Sequence, residues 1–199
     1  MATAREIQRR MRSVRNIRQI TKAMELIAVT RLRRAQQRVI AARPYSAKLG
    51  RMVAEISAHT TGDSDEVGPA HPLLDIRESK RVAIVLVTSD RGLCGALNGN
   101  VIRAAMQHAA SETAKGREVS FIAVGRKAEG YFRFRGYKIA RTFSGFSDNP
   151  TYADAKAIAA YVMEQYLAGE IDRVELVYTR FISAGSQEVV QRPLVPLER

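Results

Sequence analysis

Three closely spaced glycines follow a run of β-branched residues, in a segment that could carry phosphate chemistry. In SDRGLCGALNGN (Ser89 to Asn100), Gly92, Gly95 and Gly99 fall after a candidate strand and before a candidate helix, where nucleotide-binding folds keep their phosphate loops. The spacing is GxxGxxxG, which matches neither GxGxxG nor a P-loop ending in GK[ST]. A tight turn that needs permissive backbone angles is the favoured reading. Cys94 lies in the same loop and is the chain's single cysteine, so no intramolecular disulfide can form and a reducing compartment is expected. A helix N-terminus could activate its thiol, but a lone cysteine beside a core strand reads first as a small buried hydrophobe. His59, His71 and His108 are scattered and without a cysteine partner, so no metal site is expected. No Ser/His/Asp order or paired-carboxylate arrangement stands out, and the chain is expected to hold no catalytic site, cofactor or small-molecule substrate.

Charge is the other chemical signal. The 199 residues carry a net charge of +12, and that excess is confined to the first 51 residues, with fourteen Lys or Arg against two acids. The remainder is neutral. An electrostatic partner therefore meets the N-terminal segment, and it could be nucleic acid, an anionic lipid surface or acidic protein loops. The segment contains only Tyr45 as an aromatic and lacks the bulky apolar face of a membrane-surface helix, which favours acidic protein surfaces.

These features need elements to position them. From Thr3 to Ser57 the only helix breakers are Pro44 and Gly50, and Ala, Arg, Gln, Leu and Met dominate, so a long helix is expected. Apolar or small residues recur at Ile7, Met11, Val14, Ile17, Thr21, Met24, Ala28, Leu32, Ala35, Val39 and Ala42, a narrow stripe of the kind that lines a coiled-coil seam. About 50 such residues would make a projecting rod of about 75 Å. Pro44 predicts a kink or break near Arg43. The polar segment from Thr60 to Pro72 reads as a linker, and the organisation expected is a shaft helix over 1–59, a linker over 60–79 and a globular domain over 80–199.

Beyond the linker the pattern alternates. Strands are expected at Arg81 to Ser89, Val119 to Gly125, Tyr137 to Phe143, Arg173 to Ser183 and Glu188 to Val195. Helices are expected at Asn100 to Lys115, at Arg126 to Arg135, and from an Asn149–Pro150 start to about Leu167. The fold class is α/β: a doubly wound, mostly parallel sheet domain plus a long N-terminal helix with a coiled-coil seam. No run of apolar residues is long enough to span a bilayer, so a cytosolic or membrane-peripheral protein is expected.

Two segments resemble a known family. Ile7 to Gln36, with ITKAM at Ile20 to Met24 and RLRRAQ at Arg31 to Gln36, closely resembles the N-terminal helix of the F-type ATP synthase gamma subunit. Independently, TSDRGLCGALN (Thr88 to Asn98) looks like that family's signature loop, with Asp90, Arg91, Gly92, Cys94 and Gly95 at its matching positions. The resemblance implies a non-catalytic rotor subunit that couples proton flow through the membrane sector to ATP synthesis or hydrolysis. Its implied partners are the alpha and beta subunits of the catalytic hexamer, the epsilon subunit and the c-ring. Its implied place is peripheral, at the cytoplasmic face of a bacterial plasma membrane. Carried over by motif, Lys22 and Met24 would meet the acidic loop of a beta subunit, with Arg9, Arg12, Arg15, Arg33, Arg34 and Gln36 as further contacts on the same helix.

Gamma subunits normally end in a second long helix that returns antiparallel to the first, so the resemblance makes the N-terminal helix half of an antiparallel coiled coil; this sequence ends at Arg199 after the last strand, and the seam is expected to lack its partner within the chain. Two other functions compete. A nucleic-acid-binding protein would use the basic helix and show strongly salt-dependent retention. A nucleotide-dependent enzyme would use the Gly92 to Gly99 loop, and its ligand would raise the domain's melting temperature.

Overall fold

The computed structural model describes residues 3–59 and 72–197. By contact density the chain divides into two units, Met1–His59 and Thr60–Arg199.

The first unit is one helix, α1 (Ala4–His59), whose 56 residues span about 84 Å at 1.5 Å each. The break anticipated at Arg43 does not occur, because the helix runs uninterrupted through Pro44. Pro44 removes a single amide, and the carbonyl it frees, that of Ile40, lies on an exposed stretch where water can replace the lost donor. Strong helix formers on both sides continue the helix. The stripe residues are exposed, among them Met11 at 61% and Val14 at 64%. Leu26 and Ile27, also exposed, lie off that stripe, so the apolar surface is wider than a narrow seam.

The second unit is a five-stranded sheet in the order β3-β2-β1-β4-β5. The strands are β1 (Arg81–Val87), β2 (Glu118–Val124), β3 (Ile139–Phe143), β4 (Arg173–Ser183) and β5 (Ser186–Val195). The first four run parallel, and β5 closes the sheet as an antiparallel hairpin partner of β4. Three helices connect them: α2 (Leu97–Ala114), α3 (Arg126–Arg135) and α4 (Tyr152–Leu167). β1 is central and buried on both faces, as its unbroken Val, Ile and Leu run requires. On one face Ile84, Leu86 and Phe121 meet Val101 of α2 and Phe132 of α3; on the other, Val85, Ile122 and Val174 meet Val162 and Tyr166 of α4. Phe121 and Phe132 stack with ring centroids 4.0 Å apart, fixing α3 on the sheet.

Two boundaries differ from expectation. α2 begins at Leu97 rather than Asn100, because Gly99 serves as an ordinary helical residue with open space around it. α4 is capped by Thr151 rather than Asn149: Thr151 Oγ1 accepts from the Asp154 amide while the Asp154 side chain accepts from the Thr151 amide, a reciprocal box. The expected linker over 60–79 lies outside the described residues up to His71, and its described end holds a single 3-10 turn, Pro72–Leu74. There the Tyr166 hydroxyl donates to Asp75 O at 2.5 Å and Arg77 lies 4.8 Å over the Tyr166 ring, tying the chain leading into β1 to α4.

Candidate functional site

A doubly wound sheet binds ligands at the carboxyl ends of its strands, beside the point where strand order reverses. Here that point flanks β1, whose neighbours are β2 and β4, and the loop leaving β1 is Thr88–Ala96. Its residues make a closed set of contacts with the next two loops.

The first amides of a helix have no partner within it. In α3 they are taken by the loop after β1. Asp90 Oδ1 accepts the N–H of Arg126 at 3.0 Å, the Ser89 carbonyl accepts that of Lys127 at 3.2 Å, and Thr88 Oγ1 accepts that of Ala128 at 3.0 Å. Asp90 Oδ2 also accepts the N–H groups of Gly145 at 2.9 Å and Ser147 at 3.0 Å. Partial burial pushes the Asp90 carboxyl upward, but the Ser147, Gly145 and Arg126 amides outweigh it and hold its pKa at about 2. The carboxylate thus caps the N-terminus of α3 and pins the loop after β3 to the loop after β1.

The rest of the loop is equally self-contained. Asn98 accepts the Ser89 N–H at 2.9 Å and donates to Cys94 Sγ at 3.0 Å. Cys94 is half-buried, so it is a polar-bonded loop residue rather than the buried hydrophobe expected. Arg91 reaches Asp148 at 2.9 Å. The glycines behave unevenly. Gly95 has φ of 58°, as a permissive turn residue should, but the residue beside Gly92 with positive φ is Leu93, at 62° and 95% exposed. The glycine the geometry depends on is Gly125, with φ of 96° and its Cα so close to Thr88 that a Cβ would lie 2.3 Å from the Thr88 carbonyl oxygen. Thr88, Asn98, Gly125, Gly145 and Ser147 were not singled out by sequence, although Thr88 and Asn98 bracket the quoted motif.

The amino ends of the strands hold a polar cleft of about 280 Å³, lined by Arg81, Glu118, Ser120, Lys138, Glu170 and Ile171. Its charges are matched internally, with Arg81 on Asp172 at 3.1 Å and Lys138 on Glu118 at 2.5 Å. Among the described residues, no group of His, Cys, Asp and Glu is placed to hold a metal ion.

The other candidate residues, Arg9, Arg12, Arg15, Lys22, Met24, Arg33, Arg34 and Gln36, all lie on α1 and do not converge. Between Arg9 and Gln36 the helix advances about 40 Å. All are exposed except Gln36, which is half-buried. Helical periodicity puts Met24 within the apolar stripe and Arg15, Lys22 and Arg33 on a flank of it. Lys22 pairs with Glu25 at 2.9 Å, a local exposed contact of little energetic weight.

The chain joins a long helix that presents basic and apolar residues to water with a doubly wound sheet domain whose loops after β1, β2 and β3 are tied together by one carboxylate. The chain belongs to the ATP synthase gamma-chain family: the family described as ATP synthase matches residues 3–199, and curated gamma chains match along its full length. It is 44% identical to the ATP synthase gamma chain of Desulfitobacterium hafniense and 42% identical to that of Pelotomaculum thermopropionicum, over 100% of this chain in each case. It spans about two thirds of those relatives, 68% and 66% of their lengths. The fold is similar to a chain in the cryo-EM structure of the central stalk and c-ring of the Tetrahymena thermophila mitochondrial ATP synthase, with a TM-score of 0.68 over 89% of this chain and 72% of that one, at 24% identity.

Proposed function

We propose that this chain is a central-stalk rotor subunit that couples proton flow through a membrane sector to ATP synthesis or hydrolysis in an alpha/beta hexamer. The observation that carries the reading is the gamma-chain match over residues 3–199, which includes both the basic helix and the loop after β1. Physically, α1 is a ligand with unlike faces: arginines on one flank and an apolar stripe on another. When it turns inside a ring of like sites, each site meets a different face and is biased toward a different conformation. Lys22 and Met24 with Arg9, Arg12, Arg15, Arg33, Arg34 and Gln36 are the proposed contacts to alpha and beta, and epsilon and the c-ring are the proposed partners of the sheet domain. The apolar stripe of α1 suits a coiled-coil partner helix.

The proposed place is peripheral, at the cytoplasmic face of a bacterial plasma membrane. No described helix is long and apolar enough to cross a membrane. The test is co-expression with alpha and beta subunits of the same source. Co-purification with the hexamer and a changed rate of ATP hydrolysis are the expected results; a hexamer that assembles and turns over as if the chain were absent would overturn the reading.

A further inference from the structure

Between Gly130 and Ser147 the chain carries four cations, Arg133, Arg135, Lys138 and Arg141, and no acid. Six consecutive residues of this stretch, Arg133 to Lys138, are exposed where α3 ends and the chain turns toward the edge strand β3. Gly136, with φ of 72°, makes that turn. Adjacent aromatics are treated oppositely. Phe132 is fully buried against Phe121, while Phe134, between two arginines, is 88% exposed. Tyr137 packs edge-on against Phe132, so Phe134 is the ring left in water. The acids that reach this corner are Glu129, 2.6 Å from Arg133, and Glu118, 2.5 Å from Lys138; both pairs are solvent-exposed and weak. Arg135 stacks 5.8 Å over Tyr131.

We propose that this corner of the sheet domain rests on an anionic phospholipid surface, with the Phe134 ring at the headgroup–acyl boundary and Arg133, Arg135 and Lys138 at the phosphates. The proposal rests on the reading of the chain as part of a membrane-peripheral complex. An exposed aromatic flanked by long cationic side chains is the arrangement that lets a ring sink while the charges stay at headgroup level. A protein partner would need more. A stable protein interface buries about 800 Å² per side around an apolar centre, and a single ring among cations supplies little of that.

The sequence contains no tryptophan, so Phe134→Trp installs one reporter at an exposed site where folding is undisturbed. The full chain is mixed with vesicles of phosphatidylcholine, or of phosphatidylcholine with about one part in three phosphatidylglycerol. With anionic vesicles, the emission of the residue at 134 should shift to the blue and be quenched by brominated acyl chains; with neutral vesicles neither should occur. Arg133→Glu with Arg135→Glu should weaken that response about tenfold or more. Because α1 is also basic, retention on vesicles is not the readout, and a reporter placed instead by Tyr152→Trp, 82% exposed at the start of α4 beyond the carboxyl end of β3, whereas Phe134 precedes its amino end, should keep its aqueous emission. Emission at 134 that ignores anionic vesicles, a shift that survives both arginine reversals, or a shift produced only by a lipid-free alpha/beta hexamer or c-ring would each overturn the proposal. Assembly with the hexamer is measured separately on the unlabelled chain, so failure of the rotor reading and failure of the lipid contact are distinguishable.

Discussion

The Asp90 carboxylate accepts the backbone N–H of Gly145 at 2.9 Å, joining two loops that lie 55 residues apart in the sequence. With Arg126 and Ser147 as further donors, one side chain ties the loop after β1 to the start of α3 and to the loop after β3. Asp90→Asn keeps the shape but removes the charge and places an NH₂ group against amide donors. At neutral pH it should cost about 1 to 2 kcal/mol after allowance for partial exposure. The folded carboxyl has a pKa of about 2, below its ordinary value of 3.8, so its contribution is full above about pH 4 and disappears as pH falls through 2. Denaturant titrations of both proteins at several pH values should therefore give curves that separate at pH 7 and converge in acid.

Gly125 and Thr88 test how closely β1 and β2 approach where they deliver their loops. Gly125→Ala adds a methyl group 2.3 Å from the Thr88 carbonyl oxygen and forces an L-residue into φ of 96°. The expected loss is about 3 kcal/mol or more, visible as a lowered melting temperature. By contrast, Gly99→Ala, in α2 with open space around it, should stabilise by up to about 1 kcal/mol.

Tyr166 anchors the segment leading into β1. Tyr166→Phe removes the hydroxyl that donates to Asp75 O at 2.5 Å but preserves the ring under Arg77, so about 1 kcal/mol should be lost. Hydrogen exchange should show faster opening around Asp75 with the sheet core unaffected. Uniform acceleration throughout the sheet would place the hydroxyl's contribution in global stability instead.

For the helix, Arg33→Glu with Arg34→Glu reverses two exposed charges on α1. Association with an acidic partner surface should slow about tenfold at low ionic strength, with the difference shrinking as salt is added, because exposed charges act mainly on encounter. The melting of the sheet domain should not change. Surface-plasmon measurements against the alpha/beta hexamer across a salt series provide the check.

Patterns local in sequence were legible early. The β-branched run at Arg81 to Val87 and the 126–135 helix appear essentially as read, because periodicity and composition act over a few residues. The break considered at Pro44 does not occur, because the cost of one interior proline, about 3 kcal/mol, is spread over a 56-residue helix built mostly of strong helix formers. The Asn149–Pro150 reading failed because Thr151 and Asp154 form a reciprocal cap that neither residue suggests alone.

The sequence by itself determined the α/β class, the concentration of charge in the first 51 residues, and the two motifs of the gamma family. Only the tertiary structure decided what the signature loop does. Asp90 is one aspartate among many until folding brings it the amides of Arg126, Gly145 and Ser147, and Gly125 is one of thirteen glycines until the sheet sets it against Thr88. Backbone amides carry no residue-specific signature, so a cradle built from them becomes visible only when strands β1, β2 and β3 stand side by side.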